Sequence, residues 1–162
     1  MKNLSSIILI AITTLLGATV FAQTAAQNKA TALKGMEYIN AKNYDGLASV
    51  LADNYMDYGF GPEGLNKAGL LENLKPFFAA FPDYKLSIEK VVAEGNTVMI
   101  LSTITGTMKG DFAGAKANGK SFSYKDVDIL EFDANGKAVK HWAVVDPAII
   151  FMQLGIQTAG GK

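Results

Sequence analysis

The aspartate at the end of the last β-rich segment is well placed for acid–base chemistry. Residues 139–146 alternate as a strand does, so Trp142, Val144 and Asp146 share one face. A carboxylate beside a tryptophan in apolar surroundings has its ionised form desolvated, which raises its pKa and suits a general base near neutral pH. Asp146 also precedes Pro147 and a helical segment, so a helix N-cap is an equally good interpretation.

A second pair of carboxylates, Asp126 and Asp128, lies two residues apart and therefore on one face of its own strand. Whether Asp146 shares this face depends on the register of the connecting hairpin. A three-residue loop at 134–136 places Asp128 opposite Trp142 and gathers the carboxylates, whereas a two-residue loop turns both aspartates away. The glycine that ends the longer loop favours the three-residue form. The alternative for this face is an ordinary solvated strand surface.

The only histidine, His141, points away from Asp146 by the same alternation, so a Ser-His-Asp nucleophilic system is not indicated. A structural or interfacial histidine is the simpler interpretation. Zinc would need several histidine or cysteine ligands, and the chain has no cysteine. Calcium or magnesium at Asp126 and Asp128 would need more oxygen ligands than the sequence offers there. The sequence therefore predicts neither a metal nor a cofactor.

The candidate pocket residues are five aromatic residues and one methionine, whose side chain is flexible. The predicted ligand-binding residues are Tyr58, Phe81, Met108, Phe112, Tyr124 and Trp142. A pocket rich in aromatic rings and poor in polar groups suits a flat, hydrophobic ligand. Taken one at a time, most of these residues are as typical of an ordinary core.

The elements that must position these residues form two groups along the chain. Apolar periodicity and Asn caps predict helices first, and alternating β-rich segments predict two hairpins afterwards. The predicted helices cover residues 25–41, 43–52, 67–80 and 147–154, and the predicted strands cover residues 84–93, 98–108, 122–132 and 139–146. Helices followed by antiparallel strands indicate an α+β fold and not a doubly wound α/β sheet.

The N-terminal residues are typical of a cleavable signal peptide. A lysine at position 2 precedes an apolar run at 7–16, and Val20-Phe21-Ala22 offers small residues for cleavage before Gln23. A membrane anchor is the competing interpretation, but the apolar run is shorter than the about 20 residues that a span needs. We therefore expect a periplasmic or secreted protein with no stable membrane span after signal removal. The expected organisation is 1–22 signal peptide, 23–30 flexible lead-in, 31–155 folded domain and 156–162 flexible tail.

Charge composition argues against a nucleic-acid partner. The 15 basic residues are balanced by 15 acidic ones, and every basic residue is a lysine. Nucleic-acid binders normally display a clustered basic surface that includes arginine. Without arginine, bidentate clamping of a phosphate or carboxylate is also absent.

Several short motifs, in this order and spacing, resemble one known family over about residues 31–155. They are Gly61-Pro62-Glu63-Gly64-Leu65, Phe78-Ala79-Ala80-Phe81-Pro82-Asp83, Val92-Ala93-Glu94-Gly95-Asn96, residues 105–112, Asn135-Gly136-Lys137, His141-Trp142 with Asp146 four residues beyond, and Gln153-Leu154-Gly155. The set resembles the SnoaL-like polyketide cyclase and ester cyclase group of the nuclear-transport-factor-2-like superfamily.

The resemblance implies a cone-shaped, curved antiparallel sheet wrapped by N-terminal helices around a deep apolar cavity. It also implies acid–base work by an aspartate near the end of the last strand, which by position is Asp146. Histidines common in the family are replaced here by Met108 and Tyr58. The outer sheet face in the superfamily commonly packs on a second copy, which implies a homodimer.

Two functions follow as alternatives. The first is an exported protein that binds a small hydrophobic, carbonyl-bearing molecule and moves a proton next to the carbonyl, as a cyclase or isomerase does. Asp146 would then be the general base or acid, and Tyr58 or a protonated Asp128 would hydrogen-bond the developing oxyanion. The second is a non-catalytic binding or dimeric interaction module of the same fold, which the missing histidines favour.

Overall fold

The α+β class predicted from the sequence is confirmed by a computed structural model, which describes residues 25–156. The helices are α1 (25–41), α2 (Tyr44–Val50), α3 (Lys67–Ala80) and α4 (Ala148–Leu154). The strands are β1 (Leu51–Asp57), β2 (Leu65–Asn66), β3 (Lys85–Glu94), β4 (Thr97–Thr107), β5 (Ser121–Phe132) and β6 (Ala138–Ala143). The strands form one curved, unclosed sheet in the order β2-β1-β6-β5-β4-β3.

Asparagine side chains fix the starts of two helices where the sequence placed them. The Asn43 side chain accepts a hydrogen bond from the Gly46 N–H at 2.9 Å, and Asn66 accepts one from the Gly69 N–H at 2.9 Å. Each contact satisfies one of the N–H groups that a helix start leaves free. Gly155 ends α4 in the left-handed conformation, with φ 67°.

The end of α2 differs from the sequence prediction. The helix stops at Val50 and the chain continues directly into β1, which the sequence analysis did not predict. β1 pairs in parallel with β6, about 85 residues later in the chain, where Asp57 is the register partner of His141. This is the parallel pair in a sheet whose other pairs are antiparallel. A strand whose main partner lies so far away leaves little local signal.

Helices α1 to α3 cover one face of the sheet. On this inner face β4 and β5 alternate regularly, and their buried residues include Val98, Ile100, Phe122 and Leu130. Phe77, Phe78, Phe81, Phe112 and Phe122 pack near one end of the core, with ring centroids 4.9–6.0 Å apart for the contacting pairs. None of the helices within residues 25–156 is both long and apolar enough to cross a membrane.

The hairpin between β5 and β6 has the predicted three-residue loop but not the predicted register. The Asp133 N–H donates to the Lys137 carbonyl at 2.9 Å, and Gly136 takes φ 72°. Beyond the loop, Phe132 faces Ala138, but Glu131 faces Lys140. Val139 is thus an extra residue, a β-bulge.

This bulge overturns the predicted register. Ile129, and not Asp128, lies opposite Trp142. Since a shift of one residue exchanges the two faces of a strand, Trp142 turns to the outer face and His141 to the inner face.

The predicted domain limits are partly covered by the described residues. Residues 25–30, assigned to a lead-in, form the first part of α1, and Asn28 is buried there. The predicted signal peptide and most of the predicted tail lie outside the described residues.

Candidate functional site

A cavity of about 580 Å³ lies between helices α1 to α4 and the inner face of the sheet. Most of its wall is aliphatic or aromatic, and includes Leu74, Phe77, Phe112, Ile150 and Phe151. Its polar side chains come chiefly from the adjacent strands β1, β5 and β6. An apolar pocket with a few converging polar groups is the usual form of a small-molecule site.

His141 is held between two carboxylates at the polar part of this wall. Its Nδ1 lies 3.0 Å from Oδ2 of Asp57, and its Nε2 lies 3.0 Å from Oδ1 of Asp128. An ionised carboxylate can only accept a hydrogen bond, so both ring nitrogens must donate and the ring is an imidazolium. Burial lowers the pKa of His141, but the bonds and charges of Asp128 and Asp57 outweigh burial and raise it to about 10.

Asp57 is fixed by donors on every side. Besides His141, the Tyr55 hydroxyl donates to Oδ2 at 2.9 Å, and the Gly59 N–H donates to Oδ1 at 2.8 Å. Burial alone would raise the pKa of Asp57, but His141, Gly59 and Tyr55 hold it below the ordinary value. Asp57 therefore stays ionised and orients the imidazolium.

Asp126 and Asp128 occupy consecutive inward positions on β5, and their exposed fractions are only 5% and 6%. One oxygen of each, Oδ1 of Asp126 and Oδ2 of Asp128, has no hydrogen-bond partner among the described residues. Burial, and then the charge of Asp128, raises the pKa of Asp126 to about 6. Asp126 is therefore a carboxyl group that can gain or lose a proton near neutral pH.

Two tyrosines complete the polar wall. Tyr84 and Tyr124 line the cavity, and neither hydroxyl is hydrogen-bonded within residues 25–156. Burial, together with nearby Asp126 and Asp128, raises the pKa of both hydroxyls above the ordinary range. Both keep their protons at neutral pH and can donate to a ligand.

Three of the residues predicted for the site lie on the cavity wall. They are Asp128, Tyr124 and Phe112. Asp126 lies on the same wall, although the register between β5 and β6 is not the one that the sequence favours.

The structure places Asp146, the predicted general base, outside the cavity. It is exposed, and its Oδ1 accepts a hydrogen bond from the Ala148 N–H at 2.9 Å. The side chain thus binds backbone at the start of α4, as the capping alternative expected, although the N-cap position itself is Pro147. The reason is the bulge, which turned the face of Trp142 and Asp146 outward.

The remaining predicted pocket residues also lie away from the cavity. Trp142 and Tyr58 stack on each other, with ring centroids 5.6 Å apart and planes 18° from parallel, and neither lines the cavity. Phe81 and Met108 are fully buried in the packed core. The side chains that the sequence assigned to a ligand are here occupied by protein contacts.

Sequence reasoning missed Tyr55 and Asp57 and set His141 aside. Tyr55 and Asp57 alternate in a short segment before the glycine-rich stretch at 59–64, which was a usable strand signal. The alternation that points His141 away from Asp146 favours a structural or interfacial role for the histidine. In the structure His141 and Asp146 do point in opposite directions, but it is His141 that faces the cavity and Asp146 that faces outward.

The site is not arranged for a metal ion. Within residues 25–156, no group of three or more His, Asp or Glu side chains is placed to hold one. Both nitrogens of His141 are already committed to carboxylates, so neither offers a lone pair.

The sequence model of one family matches residues 30–154, and that family is described as SnoaL-like polyketide cyclase. No curated protein matches the chain.

Solved structures share the fold over nearly their whole length. AclR of Streptomyces galilaeus, provisionally described as a hydroxylase, is 27% identical; the match covers 81% of this chain and 97% of AclR, with a TM-score of 0.72. A SnoaL-like polyketide cyclase of Agrobacterium tumefaciens is 23% identical, covering 77% and 95%, with a TM-score of 0.64. IdmH of Streptomyces antibioticus, provisionally described as a polyketide cyclase, is 22% identical, covering 80% and 99%, with a TM-score of 0.69. The last two likenesses support the fold alone.

The buried Asp126 should make the protein less stable as the pH rises. A folded-state pKa of about 6 lies above the ordinary value of 3.8, so stability falls between about pH 4 and pH 6, where the unfolded chain releases the Asp126 proton and the folded chain still holds it. We expect Asp126→Asn to raise the free energy of unfolding by about 1–2 kcal/mol at pH 7 and by almost nothing at pH 3.5. Urea denaturation at the two pH values measures this difference.

Asp53→Asn is the matched control, because Asp53 is fully exposed on β1. Its effect should be small at both pH values. An Asp126→Asn gain that is equal at pH 3.5 and pH 7 would show that ionisation of Asp126 carries no penalty.

Proposed function

Because this chain belongs to the SnoaL-like polyketide cyclase family, we propose that its cavity binds a small hydrophobic, carbonyl-bearing molecule and moves a proton on the carbon next to that carbonyl. The observation that carries the proposal is Asp126, a buried carboxyl group in an apolar cavity whose Oδ1 has no hydrogen-bond partner within residues 25–156. Proton transfer of this kind is the step that cyclases and isomerases of carbonyl compounds share.

Asp126 is the general base in this proposal. Its pKa of about 6 leaves it mostly ionised at neutral pH, yet basic enough to accept a proton from carbon. The low polarity of the wall removes water that would otherwise compete for the carboxylate. Asp128 is less suited to this step because one of its oxygens is bound to His141.

Tyr84 and Tyr124 stabilise the negative charge that develops on the carbonyl oxygen. Both hydroxyls keep their protons and are free to donate. His141 does not take this role, since both of its N–H groups point at carboxylates. Its single positive charge is instead shared between Asp57 and Asp128, which leaves Asp126 as the group whose protonation changes near neutral pH.

We also propose that the protein acts as a homodimer through the outer face of its sheet. Val92, Met99, Ile129 and Trp142 are cross-strand neighbours in one row over β3, β4, β5 and β6. Val92 is 65% exposed and Met99 is 45% exposed. An apolar row across four strands is suited to packing on an identical row related by a two-fold axis.

Export is the third part of the proposal. The lysine at position 2, the apolar run at 7–16 and the small residues before Gln23 support a signal peptide that is removed. The domain would then work in the periplasm or outside the cell.

The catalytic proposal is tested by α-proton exchange in a hydrophobic ketone. With 2-tetralone in D₂O, followed by NMR, the protein should accelerate deuterium uptake, and the rate should rise with pH through about 6 as Asp126 ionises. Asp126→Asn should lower the rate at least about 100-fold, the usual contribution of a general base. Asp146→Asn is the control and should leave the rate unchanged. Binding of the ketone without any acceleration would favour the non-catalytic binding module.

Dimerisation is tested by sedimentation of two methionine variants. Met99→Glu puts a charge in the apolar row and should convert the dimer to a monomer. Met152→Glu changes a methionine that is 77% exposed on α4 and is not part of the apolar row, and it should leave the dimer intact. A monomeric parent protein, or a dimer that tolerates Met99→Glu, would contradict the proposal.

Export is tested by expression in a bacterial host that has a periplasm. The protein recovered from the periplasmic fraction should have an intact mass that corresponds to a chain beginning at Gln23. Recovery from the cytoplasm with residues 1–22 retained would count against export.

A further inference from the structure

The polar part of the cavity carries more negative than positive charge. Asp57, Asp126 and Asp128 face a single imidazolium, His141, so the group has a net charge of −2 when all three carboxyls are ionised. Among the described residues that line the cavity there is no lysine. Buried charge without a counter-charge is costly, so a positive group is the complement that this wall lacks.

The two free oxygens show where such a group would bind. Oδ1 of Asp126 and Oδ2 of Asp128 belong to side chains that are more than nine-tenths buried, and neither oxygen has a partner among the described residues. The two residues are adjacent inward positions of one strand, roughly 6.6 Å apart along it. A single group with several donors can therefore reach both carboxylates.

We propose that the ligand of this cavity carries a protonated amine, which binds between Asp126 and Asp128 while its apolar body fills the aromatic part of the cavity. This inference rests on the proposed function, because it names a chemical class of ligand for the same site. An ammonium brings three donors and a positive charge. A hydroxyl brings one donor and no charge, and a carboxylate is repelled.

The amine and the carbonyl chemistry are compatible within one ligand. Asp128 has one oxygen on His141 and one free, so it can anchor the ammonium without taking part in proton transfer. Asp126 accepts from the ammonium with Oδ1, and its second oxygen takes the proton from the carbon next to the carbonyl. The favoured ligand is a hydrophobic amine that also carries a carbonyl group.

Asp126 also makes amine binding depend on pH. As the pH rises through about 6, Asp126 becomes ionised and the attraction for an ammonium grows. The other charged or titratable groups on this part of the wall are Tyr55 and Asp57 of β1, Tyr84 before β3, Tyr124 and Asp128 of β5, and His141 of β6. Asp111, in the loop after β4, also lines the cavity, but it is paired with Lys116 at 2.6 Å, which holds its pKa below the ordinary value. Of these, His141 changes charge near pH 10 and the tyrosines above it, so they do not mask the effect between pH 5 and pH 7.

The test is titration calorimetry with three probes of one shape and different charge: 2-(2-naphthyl)ethylamine, 2-(2-naphthyl)ethanol and 2-naphthylacetate. At pH 7 the amine should bind about tenfold more tightly than the alcohol, the effect of one charge-assisted hydrogen bond. The carboxylate should bind more weakly than the alcohol. Between pH 5 and pH 7 the affinity for the amine should rise, and that for the alcohol should stay constant.

Variants locate the selectivity. Asp128→Asn keeps an oxygen that can accept from His141 but loses its charge, and Asp126→Asn removes the group that titrates near pH 6. Each should reduce the preference for the amine over the alcohol about tenfold, and Asp126→Asn should also abolish its pH dependence. Asp146→Asn, outside the cavity, should retain the full preference. Unfolding curves identify any variant that does not fold, in which case the pH dependence of the unaltered protein decides.

The outcomes separate this inference from the catalytic proposal. An alcohol or carboxylate that binds as tightly as the amine overturns the inference, whatever the ketone exchange shows. A clear preference for the amine in a protein without ketone exchange would support the inference and contradict the catalytic proposal.

Discussion

The imidazolium of His141 between Asp57 and Asp128 is the interaction on which the rest of the site depends. Three charged side chains from three adjacent strands meet inside an apolar core, and each is tolerated only because its neighbour has the opposite charge. Their meeting requires β6 to lie between β1 and β5, with Asp57 in register with His141. The parallel pairing of β1 with β6 therefore lies where the three charged side chains meet.

This arrangement assigns different chemistry to three carboxyl groups of the same residue type. Asp57 accepts hydrogen bonds from three donors and stays ionised, and Asp128 is bonded to the positively charged ring of His141. Oδ1 of Asp126 has no hydrogen-bond donor among the described residues, and His141 is not bonded to Asp126. Burial and the charge of Asp128 outweigh the opposing effects of His141 and the Val127 N–H on Asp126, which is why its pKa rises while that of Asp57 falls. Environment separates the structural acid from the acid that can react, as it does in other acid–base sites.

Most of the fold could be predicted from the sequence because its signals are local. Asn43 and Asn66 cap helices, the hairpin turns follow from Gly95 and Gly136, and Gly155 ends α4. The candidate site could be predicted only in part, because it depends on pairings between distant residues. β1 takes its conformation from β6, and a single extra residue, Val139, decides which face of β6 is buried. Periodicity identifies two faces but cannot say which one the helices cover.

The same extra residue determines both surfaces of the sheet at once. By turning His141 inward, the bulge at Val139 necessarily turns Trp142 outward, where it stacks on Tyr58 and extends the apolar row of Met99 and Ile129. Since side chains alternate strictly beyond a bulge, the acidic cavity and the apolar outer face are not independent features. A strand without the bulge would bury a tryptophan and expose a histidine, and would lose the charged centre and the outer apolar row together.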